Sequence, residues 1–315
     1  MRALRLLRQG ADLEERLVDD PVPGPGEVLV DVRCAGICHS DAHYRADASR
    51  VRLPLTLGHE IAGVVAATGP GVAEPAPGTR VALHYLLPDG AMLGKERDGG
   101  WAERIVVPAA NAVPVPDEVP LEQAAIMMCS TATALHALRL AGLQPGESVA
   151  ILGFGGLGVS ALRLARALGA GTVYAVDRVP EKLRLAASLG AVPARVDELR
   201  DVDVALDLAG HAPTALAGLR GLRHGGRLVL VAIDLRDFTL DGYADLLVHE
   251  RRILGSADHT REELVELLAM ARRGDLDVGC AISRRVPLRA ADVTAVLDDL
   301  GRGTAHLRTV IEVGG

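Results

Sequence analysis

A glycine-rich hexapeptide at residues 153–158, Gly-Phe-Gly-Gly-Leu-Gly, constrains the fold of this chain more than any other feature. It follows the apolar run 148–152 and opens a segment of helical periodicity that ends at Gly169. A Gly-x-Gly-x-x-Gly sequence in this strand-turn-helix setting is typical of a turn that binds a dinucleotide, although it could be a tight turn without a ligand. The first glycine makes the turn, the second lets a pyrophosphate approach the backbone, and the third lets the helix pack on the strand. The expected cofactor contacts are Gly153, Gly155, Gly156, Leu157 and Gly158.

An acidic residue, Asp177, ends the next apolar run, 24 residues after Gly153. A carboxylate at this position can accept hydrogen bonds from the adenosine ribose hydroxyls and would repel a 2′-phosphate. NAD is therefore favoured over NADP. Arg178 could instead meet a 2′-phosphate or stack on the adenine, and Lys182 is a further candidate cofactor contact.

Apolar runs of strand length alternate with helix-length segments in the second half of the chain, which is typical of a parallel sheet covered by helices. Helix candidates 157–168 and 180–189 each end at a glycine, the residue that helix C-caps favour. We therefore predict an α/β fold with a Rossmann, doubly wound parallel sheet over residues 131–258. The strand candidates are 148–152, 172–176, 202–208, 227–233 and 252–255.

Alternation with a period of two dominates the first third of the chain. Apolar residues alternate along 28–34 after a Pro-Gly-Pro-Gly turn, and Cys34 falls on the apolar face. Further β-rich runs, separated by Gly/Pro-rich turns, occur at 61–65, 80–83 and 104–107. This pattern predicts a compact, mostly antiparallel domain.

A chain of 315 residues is long enough for two domains of ordinary size. After residue 259 we expect a helix, a loop and a final β-like run at 307–313, which is too little for a third domain. The first domain should therefore comprise residues 1–130 and 259–315.

Composition excludes several classes of protein. A net charge of -7 gives no general attraction for nucleic acid. No apolar stretch is long enough to span a membrane, and arginines interrupt the apolar residues near the start too often for a signal peptide. We therefore expect no nucleic-acid or membrane partner and a cytoplasmic location. Four cysteines without a secretion signal indicate metal or core roles rather than disulfides.

Cys38 and His59 are candidate metal ligands. They lie 21 residues apart, in the segments Cys-His-Ser-Asp-Ala-His and Gly-His-Glu. Thiolate and imidazole are ligands that zinc prefers. Spacing alone leaves open that each residue is simply packed or solvated.

The two segments, followed by the Gly-x-Gly-Gly-x-Gly turn, resemble those of zinc-containing medium-chain alcohol dehydrogenases, and the resemblance covers nearly the whole chain. It implies a GroES-like catalytic domain beside the Rossmann domain. It also implies that Cys38, His59 and Cys129 bind one catalytic zinc, since Cys₂His is the ligand set already known from alcohol dehydrogenases.

The resemblance also assigns roles to the neighbours of these ligands. Asp41 would orient the ligating imidazole, and Glu60 would lie behind the metal. Ser40 would accept the alcohol proton, and His43 would pass it to solvent through the nicotinamide ribose. Two further residues would face the pyrophosphate, namely His39 and Arg308.

The implied activity is hydride transfer between a zinc-bound alkoxide, formed from a small-molecule alcohol, and NAD, with the aldehyde or ketone as product. A polyol, sugar-alcohol or cyclitol dehydrogenase of the same superfamily remains an alternative, and a non-catalytic nucleotide-binding protein is a minor one. Family members commonly pair through their nucleotide domains, so a homo-oligomer, dimer or tetramer, is expected.

One feature of the family is missing. Many members bind a second, structural zinc through four closely spaced cysteines, but this chain has no cysteine between Cys38 and Cys129. The segment 84–100, where that lobe would lie, is short. We therefore expect one zinc per chain.

Overall fold

The computed structural model describes residues 1–233, 237, 239–303 and 307–314. The chain forms two compact units. The first comprises Met1–Cys129, Leu264–Gly274 and Gly279–Gly315, and the second comprises Ser130–Glu263 and Asp275–Val278. One sheet system is mostly antiparallel and the other is parallel, so the predicted fold class is confirmed.

The regular elements are numbered in chain order. The strands are β1 (Arg2–Leu6), β2 (Glu14–Leu17), β3 (Glu27–Ile37), β4 (Leu55–Thr56), β5 (Ile61–Thr68), β6 (Arg80–Leu83), β7 (Arg104–Pro108), β8 (Ala112–Pro114), β9 (Val149–Leu152), β10 (Val173–Val176), β11 (Val192–Pro193), β12 (Val202–Asp207), β13 (Leu222–Leu230), β14 (Arg252–Gly255), β15 (Ile282–Pro287) and β16 (Arg308–Glu312). The helices are α1 (His39–Ala46), α2 (Leu121–Ile126), α3 (Ala132–Leu140), α4 (Gly156–Ala167), α5 (Pro180–Ser188), α6 (Ala212–Arg220), α7 (Arg261–Arg272) and α8 (Ala290–Gly301).

The main sheet of the first unit is built around β3. Its strand order is β15-β16-β3-β5-β6-β8, β7 also pairs with β3, and a smaller sheet has the order β2-β1-β4. The pairings among the described residues are antiparallel except that between β15 and β16. The predicted alternation is confirmed, because Val28, Val30 and Val32 are at most 2% exposed and Cys34 is 6% exposed.

The sheet of the second unit is parallel, with the order β11-β10-β9-β12-β13-β14. All four residues of β9 are buried, as expected for a strand covered on both faces. The chain runs from β9 towards one edge and then returns to β12 to build the other half. The carboxyl ends of β9 and β12 therefore form the switch point at which such sheets bind ligands.

Two predictions of secondary structure were wrong in part. The strand expected at 227–233 begins at Leu222 and ends at Leu230, because pairing with β12 continues past the Gly225-Gly226 interruption through an irregular register. The loop expected after α7 contains β15 and α8. In β15 only Ile282 and Val286 are buried, and polar and charged residues lie between them, so the apolar signal of this strand is weak.

None of the helices in the described ranges is both long and apolar enough to cross a membrane.

Candidate metal centre and dinucleotide loop

The turn after β3 carries Cys38, which is the N-cap of α1. Its backbone N–H donates to Oδ2 of Asp41 at 2.8 Å. This hydrogen bond satisfies an N–H that the first turn of the helix cannot use internally. It fixes the backbone of Cys38 and holds the buried Asp41 side chain beside it.

The other oxygen of Asp41 lies 3.2 Å from Nδ1 of His59, and both side chains are buried. An ionised carboxylate can only accept hydrogen bonds, so Nδ1 carries a proton, and in the neutral imidazole Nε2 then keeps its lone pair. A metal-binding imidazole needs this arrangement. Asp41 therefore holds the ring of His59 with Nε2 available as a ligand.

Cys129 lies on a π-helical turn, Met127–Thr131, between α2 and α3. Such turns are frequent at functional sites. Ligand atoms of Cys38, His59 and Cys129 all lie within 4.8 Å of one another. Zinc bonds of about 2.0–2.3 Å are compatible with such separations. The described part of the chain holds no second group of three such ligands.

The two thiols of this site differ in their tendency to ionise. A hydrogen bond from Cys129 lowers the pKa of Cys38 well below its usual value, against the effect of burial. The same hydrogen bond, together with burial, raises the pKa of Cys129. Burial opposes protonation of His59, but the Asp41 carboxylate raises the pKa of that imidazole overall. The site is therefore arranged to stabilise a thiolate, the form of cysteine that binds metals.

Glu60 and Arg308 form a buried ion pair next to the ligands. Arg308 Nη1 lies 3.2 Å from Glu60 Oε1, and the side chains are 7% and 0% exposed. Burial raises the pKa of Glu60 to about 7, although the positive charge of Arg308 acts in the opposite direction. Glu60 thus holds Arg308 inside the first unit, and contact of Arg308 with a pyrophosphate stays a prediction.

Gly36 makes room for Glu60, and the sequence analysis did not identify it. A Cβ atom on Gly36 would lie 1.9 Å from Oε2 of Glu60. The carbonyl oxygen of Gly36 accepts a hydrogen bond from Nε1 of the buried Trp101 at 3.2 Å. A glycine inside a strand pattern is the available signal, since it often marks a close approach.

Helix α1 carries three more of the predicted residues. Ser40 Oγ lies 3.5 Å from Nε2 of His59, on the side where that ring can meet a metal. The rings of His39 and His43, one helical turn apart, are stacked with centroids 4.8 Å apart. The structure therefore brings Ser40 to the ligand cluster and pairs His43 with His39.

Tyr85 is a second residue that the sequence analysis missed. It follows β6, is 3% exposed, and its ring meets the ring of His59 edge to face with centroids 5.3 Å apart. It forms a wall of the ligand cluster within the first unit. The residues around Tyr85 in the sequence do not indicate this contact, because Tyr85 and His59 come from separate strands and loops.

The predicted dinucleotide loop connects β9 to α4 in the second unit. A Cβ atom on Gly158 would lie 2.7 Å from the carbonyl oxygen of Gly153, which explains the third glycine. Asp177 accepts hydrogen bonds from the backbone of Phe154 at 2.8 Å and of Val179 at 2.9 Å. Asp177 therefore organises the loop itself, and contact of its remaining lone pairs with a ribose stays a prediction.

The basic residues near Asp177 are placed differently. Lys182 Nζ lies 4.0 Å from Oδ2 of Asp177. Arg178 is exposed. Both remain candidate cofactor contacts.

Comparison with known proteins gives consistent matches to both units. A family model described as an alcohol dehydrogenase GroES-like domain matches residues 24–117, and one described as a zinc-binding dehydrogenase matches residues 156–273. An alcohol dehydrogenase from Geobacillus stearothermophilus is 32% identical over 96% of this chain and 96% of that protein. An NAD-dependent alcohol dehydrogenase from Sulfolobus acidocaldarius is 32% identical over 99% of this chain and 100% of that protein. The solved structure of a cobalt- and zinc-bound alcohol dehydrogenase from Pyrobaculum aerophilum has a TM-score of 0.90 and 29% identity, with 99% of each chain covered.

Proposed function

This chain belongs to the zinc-type alcohol dehydrogenases of the medium-chain dehydrogenase superfamily, and from that premise we propose that it is a one-zinc, NAD-linked oxidoreductase. The proposed substrate is a small-molecule alcohol, or the corresponding aldehyde or ketone in the reverse direction. The observation that carries the proposal is the cluster of Cys38, His59 and Cys129, with Asp41 hydrogen-bonded to the histidine.

The donor set fits zinc. Two sulfurs and one imidazole nitrogen are ligands that zinc prefers, and three protein ligands leave a fourth position for a substrate. When bound, the metal supplies a Lewis acid that lowers the pKa of a coordinated hydroxyl group. Cys38, His59 and Cys129 would hold it.

Ser40 and His43 are proposed to remove the substrate proton. Ser40 lies beside Nε2 of His59, and its hydroxyl can accept one proton while it donates its own. His43 lies three residues later on α1 and is proposed to pass the proton to solvent through the nicotinamide ribose.

NAD is the proposed cofactor. Gly153 and Gly155 lie just before α4 and Gly158 lies in its first turn. The N-terminal N–H groups of this helix can bind a pyrophosphate. Asp177 lies at the end of β10, where its negative charge disfavours the 2′-phosphate of NADP. The exposed Arg178 is the residue of this region that would favour NADP.

The proposal is tested with protein loaded with one equivalent of zinc. NAD and NADP are supplied in parallel, with a panel of primary and secondary alcohols, polyols, sugar alcohols and cyclitols. We expect NADH absorbance with at least one substrate and a lower kcat/KM with NADP. Turnover of polyols or cyclitols alone would select that alternative substrate class. NADH binding without any turnover would leave the non-catalytic alternative and contradict the proposed reaction.

The metal assignment has its own test. Cys129→Ala should lose bound zinc and turnover but retain NADH binding, because the nucleotide loop lies in the second unit. Cys280→Ala is the matched control, since Cys280 is also a half-buried cysteine but lies outside the ligand cluster. Full zinc content in Cys129→Ala would refute the assignment.

A further inference from the structure

Asp207 is a fully buried carboxylate that the sequence analysis did not identify. It is the last residue of β12, the strand between β9 and β13, and is 0% exposed. In the sheet it lies opposite Leu152, the residue immediately before Gly153 of the dinucleotide loop. It therefore occupies the carboxyl edge of the sheet at the switch point.

The carboxylate organises the turn that follows its own strand. Oδ1 of Asp207 accepts hydrogen bonds from the backbone N–H groups of Ala209 and Gly210, both at 3.2 Å. The N–H of Leu208 donates to the carbonyl oxygen of Leu152 at 2.9 Å. The turn at 208–210 is thus tied to Asp207 by a side chain and to β9 by the backbone.

This turn lies close to the first glycine of the dinucleotide loop. A Cβ atom on Gly153 would lie 3.1 Å from both the Cβ and the backbone nitrogen of Ala209. On the other side, the N–H of Phe154 donates to Asp177. The start of the loop is therefore held on one side by the hydrogen bond to Asp177, and on the other side it approaches the turn that Asp207 holds too closely for a larger residue at position 153.

Burial of the Asp207 carboxylate costs free energy, which indicates that its role as a hydrogen-bond acceptor is needed. Its Oδ2 is buried and has no hydrogen-bond partner among the described residues. Burial raises the pKa of Asp207, against the effect of the two backbone hydrogen bonds. An apolar side chain of similar size would avoid this desolvation cost but could not hold the turn.

We propose that Asp207 is a positioning residue of the dinucleotide site, which fixes the backbone of Gly153 through the turn at 208–210 without touching the cofactor. The inference rests on the proposed nucleotide role of the loop. A displaced Gly153 would misalign the N–H groups that meet the pyrophosphate, and cofactor affinity would fall while the zinc ligands in the first unit stay in place.

The test compares two variants of the zinc-loaded protein. Asp207→Leu removes the acceptor, and we expect the Kd for NADH to rise about tenfold. Asp207→Asn keeps one acceptor oxygen for Ala209 and Gly210, and we expect its Kd to stay within about threefold of the wild type. In turnover, Asp207→Leu should raise KM for NAD while kcat at saturating NAD and zinc content stay near the wild-type values.

Asp203→Leu is the matched control for general destabilisation. Asp203 lies on the same strand but at its opposite end, where it accepts hydrogen bonds from Ser148 and pairs with Arg223. NADH binding should be near normal in this variant at a temperature where it is folded. Should Asp207→Leu fail to fold, Asp207→Ala removes the same acceptor without added bulk.

Equal weakening by Asp203→Leu and Asp207→Leu, or unchanged NADH affinity in Asp207→Leu, would overturn the positioning role. A wild-type protein that does not bind NADH would instead overturn the proposed function of the loop. Faster hydrogen exchange of the Ala209 and Gly210 amides in folded Asp207→Leu is the expected structural signature.

Discussion

Asp41 shows how one side chain can serve two requirements of a metal site, because one of its oxygens caps α1 at Cys38 and the other orients His59. Asp41→Asn has one acceptor oxygen, so one of these contacts must be lost. We expect zinc affinity to fall about 10- to 100-fold. Titration with zinc against a chelating dye measures the effect. Asp47→Asn, at the exposed end of the same helix, is the control. Unchanged zinc affinity in Asp41→Asn would contradict the orienting role.

A substitution at Gly36 tests how tightly Glu60 is packed behind the metal ligands. The side chain of Gly36→Ala would overlap Oε2 of Glu60, so we expect the first unit to lose about 1–3 kcal/mol of unfolding free energy. Trp101 is the only tryptophan and lies in this unit, so its fluorescence in a denaturant titration reports the change. Gly301→Ala adds the same methyl group where nothing lies within 4 Å and should change stability little. Equal stability of the two variants would show that Glu60 can move without cost.

At this scale, the residues that sequence could identify are those whose chemistry is unusual by itself. Cys38 and His59 stand out as soft ligands, whereas Cys129 was reached only through the family resemblance. Gly36 and Tyr85 are ordinary residue types that become part of the site through contacts across strands. Such contacts depend on register and loop path, which one sequence does not specify.

At the scale of elements, the pair Glu147–Arg227 joins the start of β9 to β13. Arg227 donates two hydrogen bonds to Glu147, at 2.8 and 2.6 Å, and a third to the carbonyl oxygen of Ala141. The side chain of Arg227 is only 8% exposed and that of Glu147 only 14%. Glu147→Gln leaves Arg227 buried without its counter-charge, and we expect a loss of about 1–3 kcal/mol in the unfolding of the second unit. Glu181→Gln breaks a pair that is 69% exposed on both sides and should cost far less.

The pair of Glu147 and Arg227 also makes the stability of the second unit depend on pH, and the direction of this dependence follows from the pKa of Glu147. The hydrogen bonds from Arg227 lower the pKa of Glu147 below its unfolded-state value, although burial opposes them. The stabilisation is therefore complete above the unfolded value of about 4.3 and is lost as the pH falls through the folded-state value. Between about pH 5 and pH 3, thermal melts of Glu147→Gln should fall less steeply than those of the wild type. Parallel slopes would show that the pair adds no pH-dependent stability.

Elements were predictable where burial on both faces produces a continuous apolar run. β9, β10, β12 and β14 begin and end within one residue of their predicted bounds. β15 was not predictable in this way, because it contributes two buried residues and takes its place by pairing with β16. α8 did carry a helical signal, since Val293, Val296 and Leu297 are buried with helical spacing.

At the scale of the whole molecule, the fold class followed from the glycine loop and the change of period along the chain. The parallel sheet requires crossover helices, and the alternation of strand- and helix-length segments supplies them. The C-terminal segment was predicted to return to the first unit because it is too small for a third domain. In the structure, β16 pairs with β3, a strand of that unit. The described part of the chain holds one group of metal ligands, and the segment 84–100 contributes no residue to it.

The last prediction at the scale of the whole molecule concerns the oligomeric state. β14 lies at the edge of the parallel sheet in the described part of the second unit. The segment leading into it exposes Tyr243 by 70%, Leu247 by 66% and Val248 by 47%. An edge strand beside exposed apolar side chains favours pairing with another chain. We expect light scattering after size exclusion to give the mass of a dimer or tetramer.

Leu247→Arg should shift this mass towards that of the 33.0 kDa monomer, because a charge would have to be buried in the interface. Leu17→Arg is the matched control, since Leu17 is 85% exposed on β2 of the other unit. A monomeric wild type would contradict the expected oligomer. An oligomer that Leu247→Arg leaves intact but Leu17→Arg disrupts would place the interface on the small sheet of the first unit, and the edge of the parallel sheet would then be a free surface.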